Sequence, residues 1–306
     1  MRAITVTTYG GPEQAELTEA ELPVPGPGEV RIRNLASAVH PADTVVRAGF
    51  LAAVLGAPPF RLGWDVSGTV DALGDGAEGF TVGEQVVGLS HWFASRNGTH
   101  AEYVVLPAQQ LAPAPADVPA TTAAALPLDG LAALQAVERT GLTAGGTLVV
   151  TGAAGRLGHL VTQLAVDRGL RVLAVAGPRD REDLTALGAE FVERGEGAVA
   201  ALRGLLPQGA DAVVDTALVG APLLAALRDG AVFVAVRPSA PAAERGIDVA
   251  VLDVVPDGAA LGRLSGLVAE GRLVLRIDSV HDASAAATAH ARLEAGGTRG
   301  AVVLTL

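Results

Sequence analysis

One stretch of the sequence has the residue types and spacing to hold a phosphate-bearing ligand: Leu148-Val149-Val150-Thr151-Gly152-Ala153-Ala154-Gly155-Arg156-Leu157-Gly158. Three glycines fall at G-x-x-G-x-x-G spacing between an apolar run and the amphipathic segment 159–164. Gly152 and Gly155 let the backbone turn tightly and approach a pyrophosphate, with Ala154, Arg156 and Leu157 completing the turn. Gly158 lets the following helix pack close to the strand. The start of that helix presents unpaired N–H groups and a partial positive charge. Strand, glycine turn and helix in this order predict dinucleotide binding.

The ribose of such a ligand is read about 20 residues later, at the tip of the next strand. Here that tip is Gly177-Pro178-Arg179-Asp180-Arg181, and the strand itself ends without Asp or Glu. A small residue followed by arginines suits the 2′-phosphate of NADP. NADPH is the expected cofactor, and Gly177, Arg179 and Arg181 are its expected contacts. Asp180 and Glu182 bear on that choice, because either one turned inward would weaken it.

Composition narrows the chemistry further. The chain has no cysteine, and every basic residue is arginine. Thiolate nucleophiles, disulfides, Cys-ligated zinc and Schiff-base lysines are excluded. The six histidines show no ligand cluster, so no metal is expected. With 33 acidic against 22 basic residues the formal net charge is -11, which repels nucleic acid and anionic lipid. The N-terminus does not read as a signal peptide, and no run approaches the roughly 20 apolar residues of a membrane span. A cytoplasmic protein is expected. Trp92 and Phe93, in Leu89-Ser90-His91-Trp92-Phe93, could wall a pocket for a flat aromatic substrate.

These groups call for two kinds of scaffold. Short alternating or apolar runs at 3–8, 30–36, 66–72, 85–88 and 101–106 are separated by turn-rich pieces such as Pro23-Val24-Pro25-Gly26-Pro27-Gly28. They predict a distorted barrel of short strands. Segment 120–140 reads as helix with a break at Pro127. A regular alternation follows: strand 147–151, helix 156–168, strand 171–176, helix 181–187, strand 191–192, helix 198–206, then strands 212–214 and 231–236. That order predicts a parallel sheet covered on both faces. A helix near 283–293 and a strand over 301–304 close the chain. The expected fold is α/β plus β, with a barrel-like domain from 1–120 and 275–306 and a doubly wound domain from 121–274.

Further pieces of sequence add to the glycine loop. They include Gly11-Pro12, Pro25-Gly26-Pro27-Gly28-Glu29-Val30, Val39-His40-Pro41-Ala42-Asp43 and Gly63-Trp64-Asp65-Val66-Ser67-Gly68. Gly83-Glu84-Gln85-Val86-Val87, Gly98-Thr99-His100-Ala101-Glu102-Tyr103 and Ala125-Leu126-Pro127-Leu128 complete the set. Together they resemble the zinc-independent quinone oxidoreductase (zeta-crystallin-like) branch of the medium-chain dehydrogenase/reductase superfamily, along essentially the whole chain. The resemblance implies a GroES-like catalytic domain, a Rossmann domain and an active site in the cleft between them. It implies a homodimer that transfers hydride from NADPH to a quinone or to the β-carbon of an α,β-unsaturated carbonyl. By position in that fold, Thr216 and Ala217 should approach the cofactor, and Val236 and Arg237 its nicotinamide end.

The chain departs from the family where substrate should sit. His40 stands for the usual Asn, Val45 for a Tyr found in some members, and Asp129 lies in an altered Pro127-Leu128-Asp129-Gly130. His40 is the first candidate for a donor or acid beside the substrate oxygen, since imidazole titrates near neutrality. Asp129 would orient His40 or relay protons, and Val45 would line the pocket with Trp92 and Phe93. Asp43 and Arg47 are expected to pair, and His159, His281 and His290 to lie on helix surfaces or at caps. Two other readings keep the fold. One is a natural-product tailoring enzyme, performing enoyl reduction or a non-redox cyclisation or dehydration with His40 and Asp129 as acid and base. The other is a non-enzymatic NADPH-binding sensor.

Overall fold

The computed structural model describes residues 1–236 and 240–306. Arg237, expected near the nicotinamide, lies outside the described residues. The chain forms two compact units, Met1–Leu131 with Val255–Leu306, and Ala132–Val254.

The second unit is built on a six-stranded sheet. Its order across the sheet is Glu190–Glu193, Arg171–Ala176, Thr147–Thr151, Ala210–Asp215, Leu227–Ala235 and Asp248–Val251, with every pairing parallel. Counted along the chain this is 3-2-1-4-5-6, the doubly wound order of a Rossmann domain. Its central strands carry buried apolar runs, residues 148–150, 172–176 and 212–214, because both of their faces are covered. Val149, Leu173, Val213 and Phe233 anchor one buried cluster with Leu202 and Leu224. The strand order reverses between Thr147–Thr151 and Ala210–Asp215, and ligands bind such sheets at that switch point.

The first unit is the strand-rich barrel-like part. Strand Glu29–Val39 is its spine, pairing antiparallel with Asp65–Leu73, Tyr103–Pro107 and Ala301–Thr305. Register shifts at Arg31/Ile32 and Asn34/Ala36 mark bulges, which bend a strand and allow it to serve several neighbours. Gln85–Leu89 and Leu111–Pro113 continue the sheet on one side, and Ile277–Asp282 flanks Ala301–Thr305 on the other. A smaller sheet joins Glu16–Glu19, Arg2–Val6 and Phe60–Arg61.

Two stretches fall differently from the sequence expectation. Residues 121–131 and 255–274 belong to the first unit, not to the doubly wound one. Ala124 and Ala125 pack with Ala36, Ala38 and Val303. Helix Gly258–Ala269 lies against strand Leu111–Pro113, with Ser265 donating to the Pro113 carbonyl at 2.8 Å. Helix Ala120–Ala123 is followed by a second helix, Pro127–Arg139, that starts at the proline, where the missing N–H costs nothing. The stretch Ala120–Arg139 is nevertheless long and apolar enough to cross a membrane by length and composition, contrary to the sequence reading, and 67% of its apolar window is buried inside the fold.

Candidate functional site

In the second unit, the glycine loop occupies the switch point. Gly152 has φ +60°, a left-handed conformation that favours glycine, and a side chain there would meet Thr216 Oγ1 at 2.6 Å. A Cβ on Gly158 would stand 2.2 Å from the Gly152 carbonyl oxygen, so helix Arg156–Asp167 approaches the loop as closely as backbone allows. Gly155 is the N-cap of that helix and has no side chain to cap it. The helix begins at Arg156, and the first N–H groups of any α-helix cannot be bonded by carbonyls within it. The cradle a pyrophosphate requires is therefore present, with Ala154 buried within it.

The other expected cofactor residues follow the ends of neighbouring strands. Gly177 follows Ala176, Thr216 follows Asp215, and Val236 follows Ala235. Register places Thr151 beside Val175 and Asp215, and Asp215 beside Ala235, so these loops share one end of the sheet. The Thr216 hydroxyl donates to the Thr151 carbonyl at 2.7 Å, and the Ala217 N–H to Thr151 Oγ1 at 3.1 Å. Thr151 Oγ1 in turn donates to Asp215 at 2.5 Å. These bonds fasten Thr216 and Ala217 to the glycine loop.

The arginines at the second strand's tip are disposed differently from expectation. Arg179 is exposed and forms no ion pair among the described residues. Arg181 instead lays its guanidinium over the Phe191 ring, 4.2 Å from the centroid. Arg194, which sequence reading passed over, follows strand Glu190–Glu193 and donates its backbone N–H to the Ala176 carbonyl at 2.8 Å. Its guanidinium lies 3.7–3.9 Å from where a Gly177 Cβ would be, over the strand tip. Glu182 faces solvent, but Asp180 is buried, with a carboxylate oxygen 3.3 Å from the same Gly177 position. One acid therefore does turn inward.

The first unit holds the second candidate centre. His40 follows strand Glu29–Val39, and Asp65 opens the antiparallel neighbour Asp65–Leu73, so the two residues meet at one end of the pair. His40 Nε2 is hydrogen-bonded to Asp65 Oδ2, and His40 is only 2% exposed. Asp65 Oδ1 accepts the Leu128 N–H at 2.7 Å, one of the otherwise unpaired donors at the start of helix Pro127–Arg139. Asp129, in the same first turn, brings Oδ1 to 3.9 Å from His40 Nδ1. Asp43 accepts the N–H groups of His40 and Gly63, both at 2.8 Å, and so staples together the two loops that carry the pair. The structure brings Asp129 near His40 without a direct hydrogen bond between them and adds Asp65 as the direct partner of His40.

Other expectations are corrected. Asp43 and Arg47 do not pair. Arg47 is buried and reaches Glu294, the Gly10 carbonyl and His290 Nδ1. His290 and His159 are buried, not on helix surfaces. Gln163 hydrogen-bonds His159 Nδ1 at 2.9 Å. Trp92 is 1% exposed, with its indole N–H on the Arg61 carbonyl at 2.7 Å, so it is a core anchor with no open face. It packs edge-on against Phe93, which at 47% exposure is the aromatic that reaches solvent. Val45 is half-buried.

Comparison with known proteins matches residues 26–116 to the alcohol dehydrogenase GroES-like domain and residues 187–304 to a domain described as zinc-binding dehydrogenase. A chloroplast envelope quinone oxidoreductase homolog of Arabidopsis thaliana is 32% identical over 99% of this chain and 98% of its own. A 2-haloacrylate reductase of Burkholderia sp is 30% identical over 59% of this chain and 54% of its own. A solved structure titled NAD-dependent alcohol dehydrogenase superposes with TM-score 0.86 at 33% identity, covering all of both chains. The residues present do not fit the zinc of the second domain's description. There is no cysteine, and no group of three His, Asp or Glu among the described residues could hold a metal ion. His40 and Asp65 are in direct hydrogen-bond contact, whereas ligands about 2 Å from a tetrahedral ion stand more than 3 Å apart.

Proposed function

This chain belongs to the quinone oxidoreductase branch of the medium-chain dehydrogenase/reductase superfamily, and on that premise we propose that it is an NADPH-dependent reductase of quinones or α,β-unsaturated carbonyls. The observation that carries the reading is the glycine cradle at the switch point, where Gly158 admits no side chain and Gly155 leaves the helix start open. When bound there, a reduced nicotinamide supplies the hydride. The chain's own residues would hold the pyrophosphate on the N–H groups of the loop and helix, with Thr216, Ala217 and Val236 at the same sheet end. Arg179 and Arg194 would receive a 2′-phosphate. Asp180 favours the competing choice, NADH, since an inward carboxylate suits ribose hydroxyls.

His40 would donate to the substrate oxygen as negative charge develops on it, and would supply the proton that completes reduction. His40 lies between the carboxylates of Asp65 and Asp129. The same pair favours a second reading, acid–base chemistry without net redox. A homodimer is proposed from the family, and strand Asp248–Val251 offers it an open sheet edge. A cytoplasmic setting is part of the same proposal. The test is titration with NADPH and NADH, followed by nicotinamide absorbance with panels of quinones and enones. Preferential NADPH binding with acceptor-dependent oxidation is the expected result. NADH preference would move the cofactor reading to Asp180, and conversion of substrate without oxidation of the cofactor would favour the acid–base reading.

A further inference from the structure

We propose that residues 48–60, together with Phe93, form a face that docks on an anionic lipid bilayer. The proposal is independent of the reaction proposed above. Segment Ala48-Gly49-Phe50-Leu51-Ala52-Ala53-Val54-Leu55-Gly56-Ala57-Pro58-Pro59-Phe60 has no charged residue and no side chain with a hydrogen-bonding group. Such a run belongs in a core, yet Phe50 and Val54 are each 80% exposed and Phe93 47%. The surface is continuous. A Cβ at Gly49 would stand 3.0 Å from the Tyr9 ring, and the Tyr9 hydroxyl donates to the Gly56 carbonyl. Ring centroids then step from Tyr9 to Phe60 at 6.0 Å, to Trp92 at 6.1 Å and to Phe93 at 5.5 Å. Single apolar side chains on a surface mean little, whereas a contiguous patch marks an interaction site.

Charge says what this patch meets. Segments 44–64 and 85–101 carry Arg47, Arg61 and Arg96 and no acidic residue, in a chain with 33 acids. Asp43 and Asp65, just outside them, are fully buried. Arg47 pairs with Glu294, which leaves Arg61 and Arg96 to set the local sign. The Arg96 guanidinium is held 5.2 Å from the Trp92 ring centroid. Exposed apolar side chains, aromatic rings beside them and arginines at the rim match acyl chains, the interfacial layer and anionic head groups in turn. A protein surface would bring polar groups that this segment has no side chains to match. The net charge of -11 opposes approach, but at physiological salt charges more than about 8 Å away are largely screened.

The experiment is co-sedimentation of the full chain with phosphatidylcholine vesicles containing about 30% phosphatidylglycerol, and with pure phosphatidylcholine. Binding to the anionic vesicles is expected, weaker on the neutral ones and weaker at high salt. Phe50→Ser with Val54→Ser should reduce partitioning about tenfold or more, with Tm unchanged because both side chains are exposed. Arg61→Gln with Arg96→Asn should reduce it about tenfold on anionic vesicles alone. Val24→Ser with Val82→Ser should change nothing: these side chains are 82% and 65% exposed but lie among Glu21, Glu29, Glu78 and Glu84. The chain's only tryptophans, Trp64 and Trp92, both belong to the aromatic cluster, so brominated lipids should quench its emission. Absence of vesicle binding, binding without quenching, or binding that survives Phe50→Ser with Val54→Ser would overturn the proposal. Self-association abolished by that double variant, with no vesicle binding, would overturn it in favour of a second copy of the chain.

Discussion

Two glycines of one loop separate binding from folding. A side chain at Gly158 has no room, with the Gly152 carbonyl 2.2 Å away, whereas at Gly155 the nearest atom is that same oxygen at 3.2 Å. Gly155→Val should therefore leave thermal unfolding nearly unchanged while abolishing NADPH binding, because the added methyls cover the helix start. Gly158→Val should destabilise the fold by about 1–3 kcal/mol or more through overpacking, seen as a lower Tm without ligand. Equal effects of the two on Tm would contradict this division. At the neighbouring strand tip, Arg179→Ala with Arg194→Ala should raise Kd for NADPH at least tenfold, since hydrogen bonds to charged groups contribute about 1.5–3 kcal/mol. NADH binding should not change, and parallel loss of both would place the 2′-phosphate elsewhere. The glycines were legible because their spacing is local. Arg194 was not, because parallel pairing of Arg171–Ala176 with Glu190–Glu193 brings it to Gly177. Likewise Asp65 meets His40 through antiparallel pairing across 25 positions, a contact no local pattern encodes.

At the scale of elements, helix Ala286–Glu294 is tied down by a buried imidazole. Burial, reinforced by the nearby His100 and Arg47, pushes the His290 side chain down to about 3, and Arg47 Nε donates to its Nδ1 at 3.3 Å. The neutral form is the folded form. Below its ordinary value of about 6.5 the unfolded chain binds the extra proton, so stability is full above about pH 7 and is lost as pH falls toward 3. At pH 5 this group alone should cost about 2 kcal/mol relative to pH 8. Urea unfolding midpoints should show that slope in the wild type and a flatter one in His290→Gln, and identical slopes would contradict it. Sequence reading recovered five of the six strands of the parallel sheet and the helices Arg156–Asp167, Arg181–Ala186 and Ala198–Leu205, where buried runs alternate with amphipathic segments. It missed helix Gly258–Ala269, whose three glycines lower helix propensity. The element forms because Asp257 caps Ala260 and because Ala260, Leu261, Leu264 and Val268 are buried. It also missed Asp248–Val251, a four-residue edge strand too short to show an alternation.

For the whole molecule, the formal charge of -11 means that an anionic cofactor would need local arginines and backbone dipoles to hold it against an unfavourable overall field. The open edge at Asp248–Val251 is the surface a second copy would pair with. Val251, about half exposed, is the side chain to test. Val251→Lys places charge on that edge and should convert a dimer to a monomer in light scattering with cofactor binding retained. An unchanged dimer would move the interface elsewhere. The sequence pattern reached the two-unit organisation but drew its borders differently, because Ala-rich residues 121–131 and the helix after Asp257 pack on barrel strands, and such packing leaves no mark on local composition. Hydride transfer from NADPH is read most directly as nicotinamide absorbance of the NADPH-bound protein on adding a quinone or an enone. The structure predicts oxidation that depends on the acceptor and slows about 100-fold in His40→Gln. NADPH that stays bound and unoxidised with every acceptor would contradict it.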